Sequence, residues 1–332
     1  MPASLAHHLF AKAALAQYGS RLAFLSPYSS LVSIGSQGPD PFYFYGSLPW
    51  RKHLDTETIN GVGSMMHSPD PLRVLPKLIE EANQLKGQDR DIAFAYVYGS
   101  LMHYTLDRNV HPFVFYQSGF DESGKLTPPY NADHSRYESL MDVSLMRHFK
   151  ASYREIHPYR SLLCPNAWIT IVSELHHRMF PTLLSKTHFA ECLADMRSVL
   201  KFLFRRHGLR RVLVKRLMGE RSMSFSMAHP VHIPNNERYD YLNLEHRTWF
   251  DPSTGSQHST SVIDMFQHAL AELETPTTFL KTIYDGGIVT NATYESFFRS
   301  INYDGQQPTA VRRYFHSIYP SMDGKRTFYE KK

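Results

Sequence analysis

Residues 89–111 would form a helix apolar on nearly every side, with Ile92, Phe94, Ala95, Val97, Tyr98, Leu101, Met102 and Leu106 spread around it. Such a helix belongs in a core. Yet it carries His103, Asp107 and His111 at i, i+4 and i+8, which share one stripe of a helical surface. Unpaired buried charge is expensive, so this stripe needs a partner. Pro112 is expected to end the helix, and Gly119, Gly124, Pro128 and Pro129 mark a loop over 117–130. A following helix, 132–150, has His134 and Glu138 at i and i+4. Two helices that each turn imidazole and carboxylate inward are what a bundle needs to hold metal in its core.

Composition agrees. Of 332 residues 42% are hydrophobic and 20% charged, enough for a sizeable core, and histidine is abundant at 19 residues. Neutral imidazole is the commonest metal ligand. The two cysteines, Cys164 and Cys192, make no CxxC pair and no disulfide framework, so zinc here depends on His and carboxylate, which suits catalytic sites. Net charge of +5 favours an acidic partner: nucleic acid, anionic lipid or a phosphorylated substrate. No run of 18 apolar residues suggests a membrane span. The opening MPASLAHHLFAKAALAQYG lacks a basic leader region, and the expected location is cytoplasmic.

The rest of the chain also reads as helix and loop. Residues 4–18 form a helix with Ser4 as its cap and His7 and His8 in its first turn. A second helix, 21–34, is broken at Pro27. In SQGPDPFYFY, Asp40 is wedged between Pro39 and Pro41, which hold its backbone rigid beside Phe42, Tyr43, Phe44 and Tyr45. These aromatics, with Phe113, Phe115 and Tyr116, suit the wall of a pocket. His67 follows two methionines. Further helices are expected over 70–86, 165–185, 188–206 and 259–284, the last capped by Ser259, Thr260 or Ser261. Residues 197–221 carry nine Lys and Arg against Glu220. They are open to two readings: a surface meeting anionic membrane or phosphate, or a solvated helix face. His246 and Trp249 in the loop-rich 228–257 region are open to a pocket-lining or a structural role. With eight or more helices, no convincing strands and no internal repeat, the expected fold is all-α, a single domain over 1–332, with residues 1–150 as its metal-site half.

Taken together, the ordered set of His7, Asp40, His67, HxxxDxxxH and HxxxE resembles the zinc-dependent phospholipase C family, whose multi-helical bundle is shared with the P1 nuclease. The segments MPASLAH, GPDPFYF, YGSLMHYTLDRNVHPFVFY and NADHSRYESLMD carry the likeness, which covers residues 1–150 and is closest to bacterial, cytoplasmic-type members. The segment LNLEHRTWFDP resembles a later block of that branch. The resemblance implies two or three Zn2+ ions. His67, His103 and Asp107 would hold one; His111, His134 and Glu138 a second; His7 would help hold a third, with Asp107 bridging. His8 is the alternative if the register shifts by one. Asp40 would be the catalytic base, or the group that orients the attacking water. Secreted members hold the third zinc partly through an N-terminal Trp, where this chain has Met1-Pro2, and they space the helix Asp and the next His more widely than the four residues from Asp107 to His111. The implied activity is hydrolysis of a phosphoric ester by metal-activated water, with phospholipid favoured over nucleic acid. The alternatives are a nuclease or nucleotidase on the same metals, or a non-catalytic protein that binds membrane or phosphate.

Overall fold

A computed structural model describes residues 4–48, 51, 54–67, 70–127, 130–151, 157–203, 216 and 240–315. Its axis is one long helix, α5 (Gly87–Ser118), roughly 48 Å from end to end at 1.5 Å per residue. Around it lie α1 (Ser4–Tyr18), α2 (Ser29–Gly35), α3 (Thr56–Met66), α4 (Leu75–Gln84), α6 (Tyr130–His148), α7 (Asn166–Met179), α8 (His188–Leu203), α9 (Val262–Glu272), α10 (Glu274–Tyr284) and α11 (Asn291–Phe298). Helices α1, α2, α4, α6, α7, α9 and α10 all pack directly on α5. This surround explains its composition: from Ile92 to Leu106 every residue of α5 is buried. One hydrophobic core extends from Leu5 in α1 to Tyr303 beyond α11. The only sheet among the described residues is a two-residue hairpin, Trp249–Phe250 paired antiparallel with Gln257–His258. The fold is all-α, with the histidines and carboxylates of the sequence pattern inside its core. No described helix is long and apolar enough to cross a membrane.

Several expected boundaries move. Pro112 does not end α5, which continues to Ser118. A mid-helix proline forfeits one hydrogen bond and crowds the carbonyl four residues back, at a cost of about 3 kcal/mol. Here burial of Phe113, Val114, Phe115 and Tyr116 outweighs that loss. The backbone of Gly305 occupies the groove beside the freed carbonyl. A Cβ on Gly305 would stand 2.5 Å from Arg108 O and 2.5 Å from Pro112 Cγ. The expected helix over 21–34 is instead a 3₁₀ segment, Gly19–Tyr28, kinked at Leu22 and followed by α2. The expected helix over 259–284 divides at Leu273 into α9 and α10. Pro276 has no N–H to offer Glu272 and is tolerated only in a first turn. Ser261 caps α9 in a reciprocal capping box with Asp264. Ser4 lies within α1 rather than capping it; the first amides, Leu5 N and Ala6 N, donate to the Asp142 carboxylate of α6 at 3.1 and 2.8 Å. The basic stretch 197–221 lies, from 204 onward and apart from Arg216, outside the described residues.

Candidate metal centre

Asp107 stands at the middle of the α5 stripe, buried to 5% exposure. Its Oδ2 lies 3.1 Å from His103 Nε2, one turn back, and 3.8 Å from His111 Nδ1, one turn on. Its Oδ1 lies 3.1 Å from His7 Nε2. The Asp142 contact delivers His7 by anchoring the first turn of α1, and the His7 and His103 rings then stack at 4.2 Å. His7, not His8, faces Asp107; His8 is half-buried beside it.

The second group spans α5 and α6. Glu138 Oε1 is 3.2 Å from His111 Nε2 and 3.1 Å from His134 Nε2. Its spacing to His134 is the i, i+4 step of one helix, so α6 presents both together.

A third group comes from loops. Asp40 opens a 3₁₀ helix, Asp40–Phe44, with Pro39 before it and Pro41 inside it. The chain reaches it through Gly38, whose φ of +54° and position against the His103 ring (2.3 Å to a Cβ placed there) leave room for glycine alone. Asp40 Oδ1 is 3.6 Å from Nε2 of His67, which caps the end of α3.

The orientation of the rings tests whether this set fits a metal. His103 Nδ1 lies 3.1 Å from Ser36 O, His67 Nδ1 3.0 Å from Gly63 O and His111 Nδ1 2.8 Å from Tyr303 O. A carbonyl only accepts, so each Nδ1 carries a proton, which leaves Nε2 as the nitrogen that a metal would take. His134 Nδ1 meets Ser118 Oγ at 3.4 Å. All four Nε2 atoms thus turn toward carboxylates with the ring fixed from behind, as metal-bound imidazoles are. His103 Nε2, Asp40 Oδ2 and His7 Nδ1 are buried without a hydrogen-bond partner, a costly state that a cation at the first two would relieve. A cavity of about 20 Å³ is bordered by His7, Asp107, His111 and Glu138, with Val110, Met141 and Phe266 among its apolar walls. It has room for one water or ion. The candidate ligand atoms lie within 4.8 Å of one another in each of three groups: His7, His103, Asp107; Asp40, His67, His103; and His111, His134, Glu138. The residues fit a metal cluster.

The electrostatics follow. Burial drives Asp107 and Glu138 toward the neutral form, but His103, His111 and His7 around Asp107, and His134 and His111 around Glu138, hold both well below the carboxylate range. Burial lowers His111, but Asp107 and Glu138 overcome it and hold the imidazole up to about 10. Burial, then repulsion from His103, pushes His67 down to about 3. Burial raises Asp40 to about 7, with His103 opposing.

All eight residues expected at the site meet there, with one difference in grouping. Asp40 joins His67 and His103, where the resemblance put Asp107 with that pair. The aromatic wall is smaller than expected. Tyr43 Oη reaches His67 Nδ1 at 3.2 Å and Phe115 lies 4.7 Å from His134, but Phe42 packs on Phe189 and His176, and Phe113 on Trp249, in the core. Trp249 donates to Thr260 O and stacks on His258, and His246 is exposed with Nδ1 at Ser259 O; both are structural. Sequence reasoning missed Asp142, Ser36, Ser118 and Tyr303, whose ring lies 4.8 Å from His67. No local spacing signals them, because each acts across a long stretch of chain.

Fold and site together define the class: an all-α protein with a candidate metal centre of His, Asp and Glu in its core. A family model described as zinc-dependent phospholipase C matches residues 1–188, more than half of the chain, and the chain belongs to that family. Comparison with curated proteins and with solved structures gives no match.

Proposed function

We propose that the protein is a zinc-dependent phosphoric-ester hydrolase of the phospholipase C type, acting on a phospholipid. The observation that carries this reading is the bare Asp40 Oδ2 grouped with His67 and His103, in a core where four histidines turn their Nε2 atoms toward carboxylates. His67 and His103 would hold one ion, with Asp107 or Asp40 completing its ligands; His111, His134 and Glu138 a second; and His7 with Asp107 a third. Zinc, when bound, neutralises the phosphate and lowers the pKa of a bound water toward ~7.

The chain's own residues supply the rest. Asp40 has one oxygen turned to His67 and the other free, so its carboxylate can take a proton from the attacking water. Pro39 and Pro41 hold it where that proton leaves. Tyr43 and Tyr303 flank His67 and restrict the approach to it. Water adds across one P–O bond, leaving a phosphorylated head group and a diacylglycerol. The test is elemental analysis of purified protein followed by assays on phosphatidylcholine vesicles, single-stranded DNA and mononucleotides. Two or three zinc ions per chain and hydrolysis of the vesicles are expected. Hydrolysis of nucleic acid or nucleotides alone makes the protein a nuclease, and absence of zinc removes the reading.

A further inference from the structure

A second stripe runs along α5 beside the metal stripe. Tyr104, Arg108 and His111 lie at i, i+4 and i+7, and each donates to backbone carbonyls of one distant segment. Tyr104 Oη reaches Phe298 O at 3.2 Å and Ile301 O at 2.6 Å; Arg108 Nη1 reaches Phe297 O at 2.7 Å; His111 Nδ1 reaches Tyr303 O at 2.8 Å. His111 therefore stands where the two stripes cross. One nitrogen faces Glu138 and the other faces residue 303, well beyond the residues that match the family.

The segment that supplies the carbonyl is built to hold its shape. Asn302 Oδ1 accepts from Asp304 N at 3.0 Å and Gln306 N at 2.9 Å, Asn302 N donates to Gln306 O at 2.9 Å, and Gly305 N donates to Asn302 O at 3.0 Å. Gly305 takes φ +75° and sits in the groove at Pro112, so the loop is keyed to the proline one residue after His111. Tyr303 is buried to 2% exposure. Its ring lies 4.8 Å from that of His67 and 5.7 Å from that of His103, and so covers ligands of the neighbouring group.

The geometry points to Asn302–Gln306 as a positioning loop of the metal centre. Its Tyr303 carbonyl engages His111 Nδ1 and so fixes the ring with Nε2 toward Glu138, and its Tyr303 ring covers one side of His67 and His103. The inference rests on the zinc reading above, but its experiment separates the two. Asn302→Ala removes both side-chain bonds that close the loop. Gly305→Ala drives a methyl into Arg108 O. Lys77→Ala, on the exposed face of α4, serves as the control. Each variant is titrated with Zn2+ against a chelating indicator, and with Co2+ while its visible d–d bands are recorded.

In Asn302→Ala and Gly305→Ala one ion is expected to bind about 10–100-fold more weakly, with altered Co2+ bands. The other ions, the far-UV circular dichroism and the Lys77→Ala titration stay as in wild type. If Gly305→Ala does not fold, Asn302→Ala alone decides. Unchanged affinity and bands overturn the proposal, and so does an equal weakening of every ion together with a falling Tm, which would make the loop a prop of the fold only. A wild-type protein that binds no zinc overturns the proposed function instead.

Discussion

The groups around Asp107 and around Glu138 use the same residue types but gather them differently. Glu138 and its two histidines come from two consecutive helices, α5 and α6. Asp107 and its neighbours draw on α1 and α5, and through His103 on the Asp40 loop and the end of α3. The first arrangement needs helical repeat and the pairing of two neighbouring helices; the second exists only once the bundle has closed. The carboxylates differ too. Asp107 faces three imidazoles, one from outside its helix, whereas Glu138 Oε1 sits between two. Asp107 is thus the residue whose removal reaches furthest.

Asp107→Asn has the largest expected effect. The half-buried His111 keeps Glu138 but loses Asp107 in the metal-free protein, read as a lower midpoint in denaturant. Zinc content falls by at least one ion and hydrolysis goes to background. A variant that keeps its full zinc content breaks the distinction between the groups. Asp40→Asn comes next. It is expected to retain zinc and to lose about 10²–10⁴-fold in kcat, the range of a general base. Loss of an ion in elemental analysis would instead make Asp40 a ligand, as its grouping with His67 and His103 allows.

The third effect is a pH dependence that belongs to the Glu138 group. In the metal-free protein His111 is held up to about 10, above its ordinary 6.5, so it is protonated at pH 7. Its contribution to the stability of that form is fully present below about 6.5 and is lost as pH rises through about 10. A metal ligand must be neutral, so zinc uptake at pH 7 releases this proton. Calorimetric titration in buffers of different ionisation enthalpy should show the release in wild type, and it should vanish in His111→Ala. The smallest effect is that of Ser118→Ala, which removes the hydroxyl 3.4 Å from His134 Nδ1. It is expected to weaken one ion about tenfold, seen in a chelator competition, and to leave the Asp107 group unchanged.

The same contrast explains what could be read in advance. His103, Asp107, His111, His134 and Glu138 announce themselves by four-residue steps on helices, and Asp40 by the prolines around it. His7 and His67 have no local signature; they entered only through resemblance to a family, since what makes them useful is the meeting of α1 and α3 with α5. Pro112 misled because helix propensity is a local quantity. The burial that overrides it comes from partners such as Tyr137 and Trp249, and the glycine that fits beside it lies at 305, all outside the helix itself. Asp142 was invisible for a similar reason: an acid in mid-helix gives no hint that it caps another helix. The break at Leu273 was within reach, because Pro276 was there to be read.

The Asp142 bond has a consequence in time. It joins residue 142 to the amide of Leu5, a separation of 137 residues. A ribosome adding 5–20 residues per second takes roughly seven to twenty-seven seconds to cover that interval. Throughout it His7 lacks the anchor of its helix. The first helix must wait for the middle of the chain before the ion that His7 would help to hold can be placed.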